Sequence, residues 1–134
     1  MAFLPLNYDD GKIVWLPMTA ATYTLGQALA CTGGSYITAA AGQGTDVEAV
    51  SMENKVVAST GDLMKCIVTR GVRFVADTDA ATIATQVGTY VDLGSATTLD
   101  TTLSADDIFF VEKIYGQLSD KKVQGFFQHG TVLA

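Results

Sequence analysis

The chain has 134 residues, enough to bury one core and too few for several large domains. Eight basic side chains against fourteen acidic ones leave a formal charge of −6, which disfavours nucleic acid and an anionic membrane surface as partners. An apolar share of 49% with 16% charged residues exceeds what a disordered acidic tail carries, and the low charge density points to a surface that meets other protein.

Residues 1–25 read as an N-terminal arm and a first strand, and 26–134 as one β-rich domain. The start has no basic segment and runs into Asn7-Tyr8-Asp9-Asp10, so no secretory signal is expected, nor is any window apolar enough to span a membrane. Residues 12–16 follow an Asp10-Gly11 turn signal and are limited by Pro17. Residues 27–31 and 35–39 flank Thr32-Gly33-Gly34, the composition of a tight hairpin. Gly42-Gln43-Gly44 lacks the full glycine pattern and the lysine of a phosphate loop, so it reads as a plain loop. Residues 46–52 place mixed residues on both faces and leave the inner face open. In 63–69 the set Met64, Cys66 and Val68 is wholly apolar and is the expected core face. Val72 and Phe74 share a face opposite Arg73, as in a short amphipathic hairpin arm.

Further on, 78–87 and 89–93 are rich in β-branched residues, although 79–84 also suits a short helix. Residues 108–115 and 121–127 are the last strand candidates. Trp15, Phe74, Phe109, Phe110, Tyr115, Phe126 and Phe127 supply bulk for a small core, yet the adjacent pairs Phe109-Phe110 and Phe126-Phe127 must each send one ring outward. A neighbouring subunit is the preferred cover for those rings. Together, about seven to nine short strands predict an all-β fold, a small compact barrel or sandwich with glycine-rich turns and at most one short helix. Residues 26–51 and 88–113 also run through the same order of glycine, short apolar run, small-residue turn, Thr-bearing strand, acidic turn and longer strand. Duplicated hairpins and the simple recurrence of period-two strands would both produce that echo.

Residues able to do chemistry do not assemble into a motif. His129, the sole histidine, has no orienting carboxylate beside it. The pairs Asp106 with Asp107 and Asp77 with Asp79 lack calcium-loop spacing and read as caps or turns. Cys31 and Cys66 are too few and too separated for a zinc ribbon or CxxC pair and read as two independent thiols. No catalytic, cofactor-binding or metal-binding residue is expected, and no enzyme. Arg70 and Arg73 flank Gly71 in an acidic chain, where a partner carboxylate and an internal pairing are equally open.

From Gly26 to Phe127 the sequence resembles the small head decoration, or capsid cement, proteins of tailed bacteriophages. The matching stretches are Leu25-Gly26-Gln27-Ala28-Leu29, the strand entry from Ala58 through Gly61-Asp62-Leu63 to Cys66, Val72-Arg73-Phe74-Val75, Phe109-Phe110-Val111 and Val123-Gln124-Gly125-Phe126-Phe127. The resemblance implies a barrel-like fold and a homo-trimer made in the host cytoplasm. It further implies a place on the outer surface of the phage head in the virion, clamping subunits of the major capsid protein without catalysis or cofactor. Within that picture Phe3, Leu4 and Leu6 tie the subunit to capsid or neighbour, while Arg70 and Arg73 orient it through charged contacts. Removal of residues 2–6 is then expected to leave folding intact. A tail or other virion component and a β-rich ligand-binding module are the alternatives.

Overall fold

A computed structural model describes residues 2–9, 12–40, 47–79, 86–101 and 107–128. The Gly42-Gln43-Gly44 loop, the alternative helix within 80–85, Asp106 and His129 lie outside those residues. After β1 (Leu4–Asn7), the first half carries β2 (Ile13–Pro17), β3 (Ala21–Tyr23), β4 (Ala28–Thr32), β5 (Ser35–Thr38), β6 (Ala49–Ser51), β7 (Lys55–Val57) and β8 (Leu63–Val68). The second half carries β9 (Arg73–Thr78), β10 (Tyr90–Leu93), β11 (Thr98–Asp100), β12 (Phe109–Ile114), a 3₁₀ turn at Leu118–Asp120 and β13 (Lys122–Phe127). The all-β expectation holds. The strands are more numerous than the sequence pattern shows because β3, β6, β7 and β11 have only three residues each, too few to display alternation.

Strands β9-β11-β10-β12-β13 close on themselves through β9 and β13, forming a five-stranded barrel. The earlier strands β2-β8-β6-β4-β5 form a second five-stranded sheet whose ends meet through a parallel bridge between Met18 and Tyr36, so this sheet too curls nearly into a barrel. β3 and β7 form a separate ribbon. The two barrels have the same connectivity and the same register, with corresponding residues about 60 positions apart. Val14↔Cys66 and Leu16↔Met64 in the first barrel match Phe74↔Gly125 and Ala76↔Val123 in the second. Val50↔Ile67 matches Phe110↔Phe126, and Ala28↔Val50 matches Tyr90↔Phe110. The loop bonds repeat as well: Gly26 N–H to Ser51 O at 2.8 Å corresponds to Gly88 N–H to Val111 O at 2.7 Å. Both glycines sit in the left-handed region, at φ 86 and 84, where any L side chain is strained. The echo between 26–51 and 88–113 is therefore a structural repeat, and it extends over nearly the whole chain.

Side-chain size separates the two interiors. The first barrel is filled by Met18, Leu29, Ala49, Met64 and Cys66, with Tyr23 and Val57 contributed by the β3–β7 ribbon. At the positions of Ala49 and Cys66 the second barrel has Phe109 and Gly125, a large residue beside a vacant one. A Cβ on Gly125 would lie 2.8 Å from the Phe109 ring and collide with the Phe110 carbonyl. Outside the first barrel, Ala28, Ala30, Val50 and Ile67 join the interior of the second in one continuous buried cluster. Strands β4, β6 and β8 thus have core on both faces, which is why 46–52 showed no single inner face. Met64 and Cys66 do point inward, but Ile67, from the opposite set, belongs to the larger core.

Three expectations need correction. Strand pairing sets no boundary at residue 25: β2 belongs to the first five-stranded sheet, β3 reaches its core from the β3–β7 ribbon, and β9 to β13 form the second barrel, with β1 added along β9. β8 and β9 lie in different sheets, so Val72 to Val75 crosses from one to the other and is no hairpin arm. The N-terminal segment is no free arm either: β1 pairs antiparallel with β9, Leu4 opposite Val75, and Phe3 is completely buried. The Phe3 ring lies 4.9 Å from that of Phe127 and 6.1 Å from that of Phe109, and its N–H bonds Gly26 O at 3.0 Å. An apolar segment lacking alternation is what an edge strand and a plug between two barrels look like in sequence. Removing residues 2–6 would open the core.

Candidate docking surfaces

Two outward surfaces differ sharply between positions that the repeat makes equivalent. On the first barrel, cross-strand pairing lines up Ile13, Ile67, Val50 and Ala28 in one row, buried against the rest of the molecule except for the half-buried Ile13. The same row on the second barrel is Arg73, Phe126, Phe110 and Tyr90, and it faces outward. Phe110 and Phe126 stack at 5.2 Å, Tyr90 meets Phe110 edge-on at 5.0 Å, and the Arg73 guanidinium lies 4.8 Å above the Phe126 ring. Tyr90 remains 37% exposed. Arg73 Nε stands 2.9 Å from Glu112 Oε1, close enough for an ion pair yet off-line for a hydrogen bond, so this buried oxygen has Coulombic compensation alone. The row is an aromatic surface of mutually tilted rings whose single cation is neutralised from within the domain.

The second surface lies on the β2–β8 ladder. Its outward rungs after Ile13↔Ile67 are Trp15↔Lys65 and Pro17↔Leu63. Trp15, expected in the core, is 58% exposed, because it belongs to the outward set 13, 15, 17 while Val14 and Leu16 fill the barrel. Leu63 is 52% exposed. The equivalent rungs on the second barrel are Val75↔Gln124 and Asp77↔Lys122, covered in part by β1 and closed by an Asp77–Lys122 ion pair of 2.6 Å. Burial works against the Asp77 carboxylate, but hydrogen bonds and positive charge from Lys122 and from the amino terminus together prevail and hold its carboxyl below the ordinary range. Among the described residues, the β2 edge at Ile13 to Trp15 has no strand in the place that β1 takes on β9.

Of the residues chosen from sequence, Arg73 stands on the aromatic row. Arg70 is exposed in the turn between β8 and β9, where its carbonyl accepts Lys12 Nζ at 3.0 Å. Leu4 is half-buried in β1 and Leu6 is 44% exposed, whereas Phe3 is withdrawn into the core. The adjacent phenylalanines divide as expected, with Phe109 and Phe127 inside and Phe110 and Phe126 outside. Sequence reasoning missed Tyr90 and Trp15 as surface residues. Both thiols are free: Cys31 is exposed, and burial, helped by the charge of Glu53, pushes the Cys66 thiol up to about 12. Among the described residues no group of acidic, histidine or cysteine side chains could hold a metal ion, and no helix is long and apolar enough to cross a membrane.

The chain matches no family model, no curated protein and no solved structure. Its function rests on the surfaces themselves.

Proposed function

We propose that this chain is a non-enzymatic decoration protein that binds the outer surface of a tailed-phage capsid and stabilises the shell by bridging major capsid protein subunits. One observation carries the reading: the chain's single tryptophan stands outward on a strand edge that no other strand among the described residues pairs with, with Leu63 beside it, where the equivalent positions of the second barrel carry an ion pair and an added strand. An exposed Trp–Leu strip is costly in water and is the residue chemistry that dominates protein interfaces, where a central aromatic contributes about 2–4 kcal/mol. The β2 edge, unpaired among the described residues, adds main-chain donors and acceptors for an extended segment of a shell subunit. Modest contacts of this kind become a strong clamp when several copies engage one shell.

The test is co-sedimentation of the pure protein with empty expanded phage heads. Wild type should saturate the shells, and Trp15→Ala with Leu63→Ser should weaken binding by at least about 30-fold while leaving the melting temperature nearly unchanged. Shells that bind the variant as tightly as wild type would refute this surface. Shells that bind neither protein would refute the function.

A further inference from the structure

The repeat exposes both halves of an interface that the molecule uses internally. Within the chain, the row containing Ala28, Val50 and Ile67 is covered, and Ala28 N–H bonds Ala96 O at 2.7 Å in the turn between β10 and β11. The counterpart of that turn in the first barrel is Gly33-Gly34, between β4 and β5. The counterpart of the buried Leu93 is the exposed Cys31. The second barrel thus has an open row and the first barrel an open hairpin end. If a two-fold related the barrels, these two would already meet inside the molecule. Both are exposed, so the relation between barrels is head-to-tail, and such a contact continues into another molecule until rotation closes a ring.

We infer that a second copy of this chain docks its β4–β5 hairpin end on the row of Tyr90, Phe110, Phe126 and Arg73, repeating between molecules the contact that joins the barrels within one. Size is complementary in both cases. The small row of Ala28 and Val50 meets a turn carrying Ala96 and flanked by Leu93. The large aromatic row meets a turn of two glycines, with open space around both. Charge does not oppose the contact, because Arg73 is already paired with Glu112. This surface is distinct from the Trp15 strip, so self-association stands or falls independently of shell binding.

Two variants separate the halves: Tyr90→Arg blocks the row, and Cys31→Arg blocks the hairpin end. Sedimentation velocity up to about 100 μM should show wild type above monomer mass and each variant alone as monomer, its affinity lowered by about 100-fold. An equimolar mixture of the two should form a one-to-one dimer, because one intact row and one intact hairpin end remain. Near-UV circular dichroism and Trp15→Ala, which should self-associate like wild type, guard against misfolding. Wild type that stays monomeric overturns the inference. So does self-association by Cys31→Arg alone, which would mean that row packs on row.

Discussion

Phe3→Ala removes a completely buried ring from between two barrels, where it touches Phe127 and Phe109. Truncating a buried phenylalanine costs about 3–5 kcal/mol in lost transfer energy and residual cavity. Three elements fix the surroundings: β9 holds the following strand, Gly26 the Phe3 backbone, and Phe127 the ring. Little collapse is available, and about 4 kcal/mol is the expectation. With an unfolding entropy of about 2.1 cal/mol/K per residue, a chain of this length loses about 3–4 °C per kcal/mol, hence about 12–16 °C in melting temperature. Urea titration should show a lower midpoint with an unchanged slope. Leu6→Ser, at a position 44% exposed in the same strand, should stay within about 0.5 kcal/mol of wild type. A Phe3→Ala protein melting within about 3 °C of wild type, or a larger loss at Leu6 than at Phe3, would return the segment to the status of a peripheral arm.

Gly125→Ala should cost more than about 3 kcal/mol, because the new methyl meets the Phe110 carbonyl and the Phe109 ring; Phe109→Leu in the same chain should recover part of that loss, read by urea midpoint. In the native protein one thiol, Cys31, should react with a disulfide reagent at pH 8, and the second only after denaturant is added, since Cys66 is buried with its thiol raised to about 12. Fast reaction of both thiols in the folded state would contradict that burial. Lys122→Met should cost about 1 kcal/mol at neutral pH. The Asp77 carboxyl is depressed by folding, so its contribution is complete above the unfolded carboxylate value of about 3.9 and disappears as pH falls through the lower folded value. The gap between wild type and Lys122→Met in acid titrations of stability should therefore close below about pH 3.9, and a constant gap would assign the loss to packing instead.

Much of the fold is legible in the sequence where a strand has one wet face. β12 and β13 show it, with Phe109 and Phe127 alternating against Phe110 and Phe126, and so does the Gly33-Gly34 hairpin. Legibility fails where a strand is covered on both sides, as in β6, whose three residues are all buried and carry no alternation. It fails again for residues 2–7, since a plug and an edge strand need only be apolar. The repeat is faint because equivalent positions conserve geometry and not side chains: Ala49 with Cys66 against Phe109 with Gly125, and Pro17 with Leu63 against Asp77 with Lys122. Trp15 faces solvent because the phase of β2 gives Val14 and Leu16 to the interior, and aromatic bulk alone does not reveal that phase. Arg73 was recoverable from its position opposite Val72 and Phe74.

Matching registers in two neighbouring barrels carry a hazard for the refolding chain, since backbone hydrogen bonding alone does not tell β6 from β12 as a partner for β8. Bulk makes that distinction. Were β12 to enter the first barrel, the Phe109 ring would land where Ala49 sits, against Cys66 and not a glycine, an overfilling that costs about 1–3 kcal/mol or more. The glycine facing that ring in the second barrel thus serves as a proofreader, admitting the correct strand and penalising its near-twin.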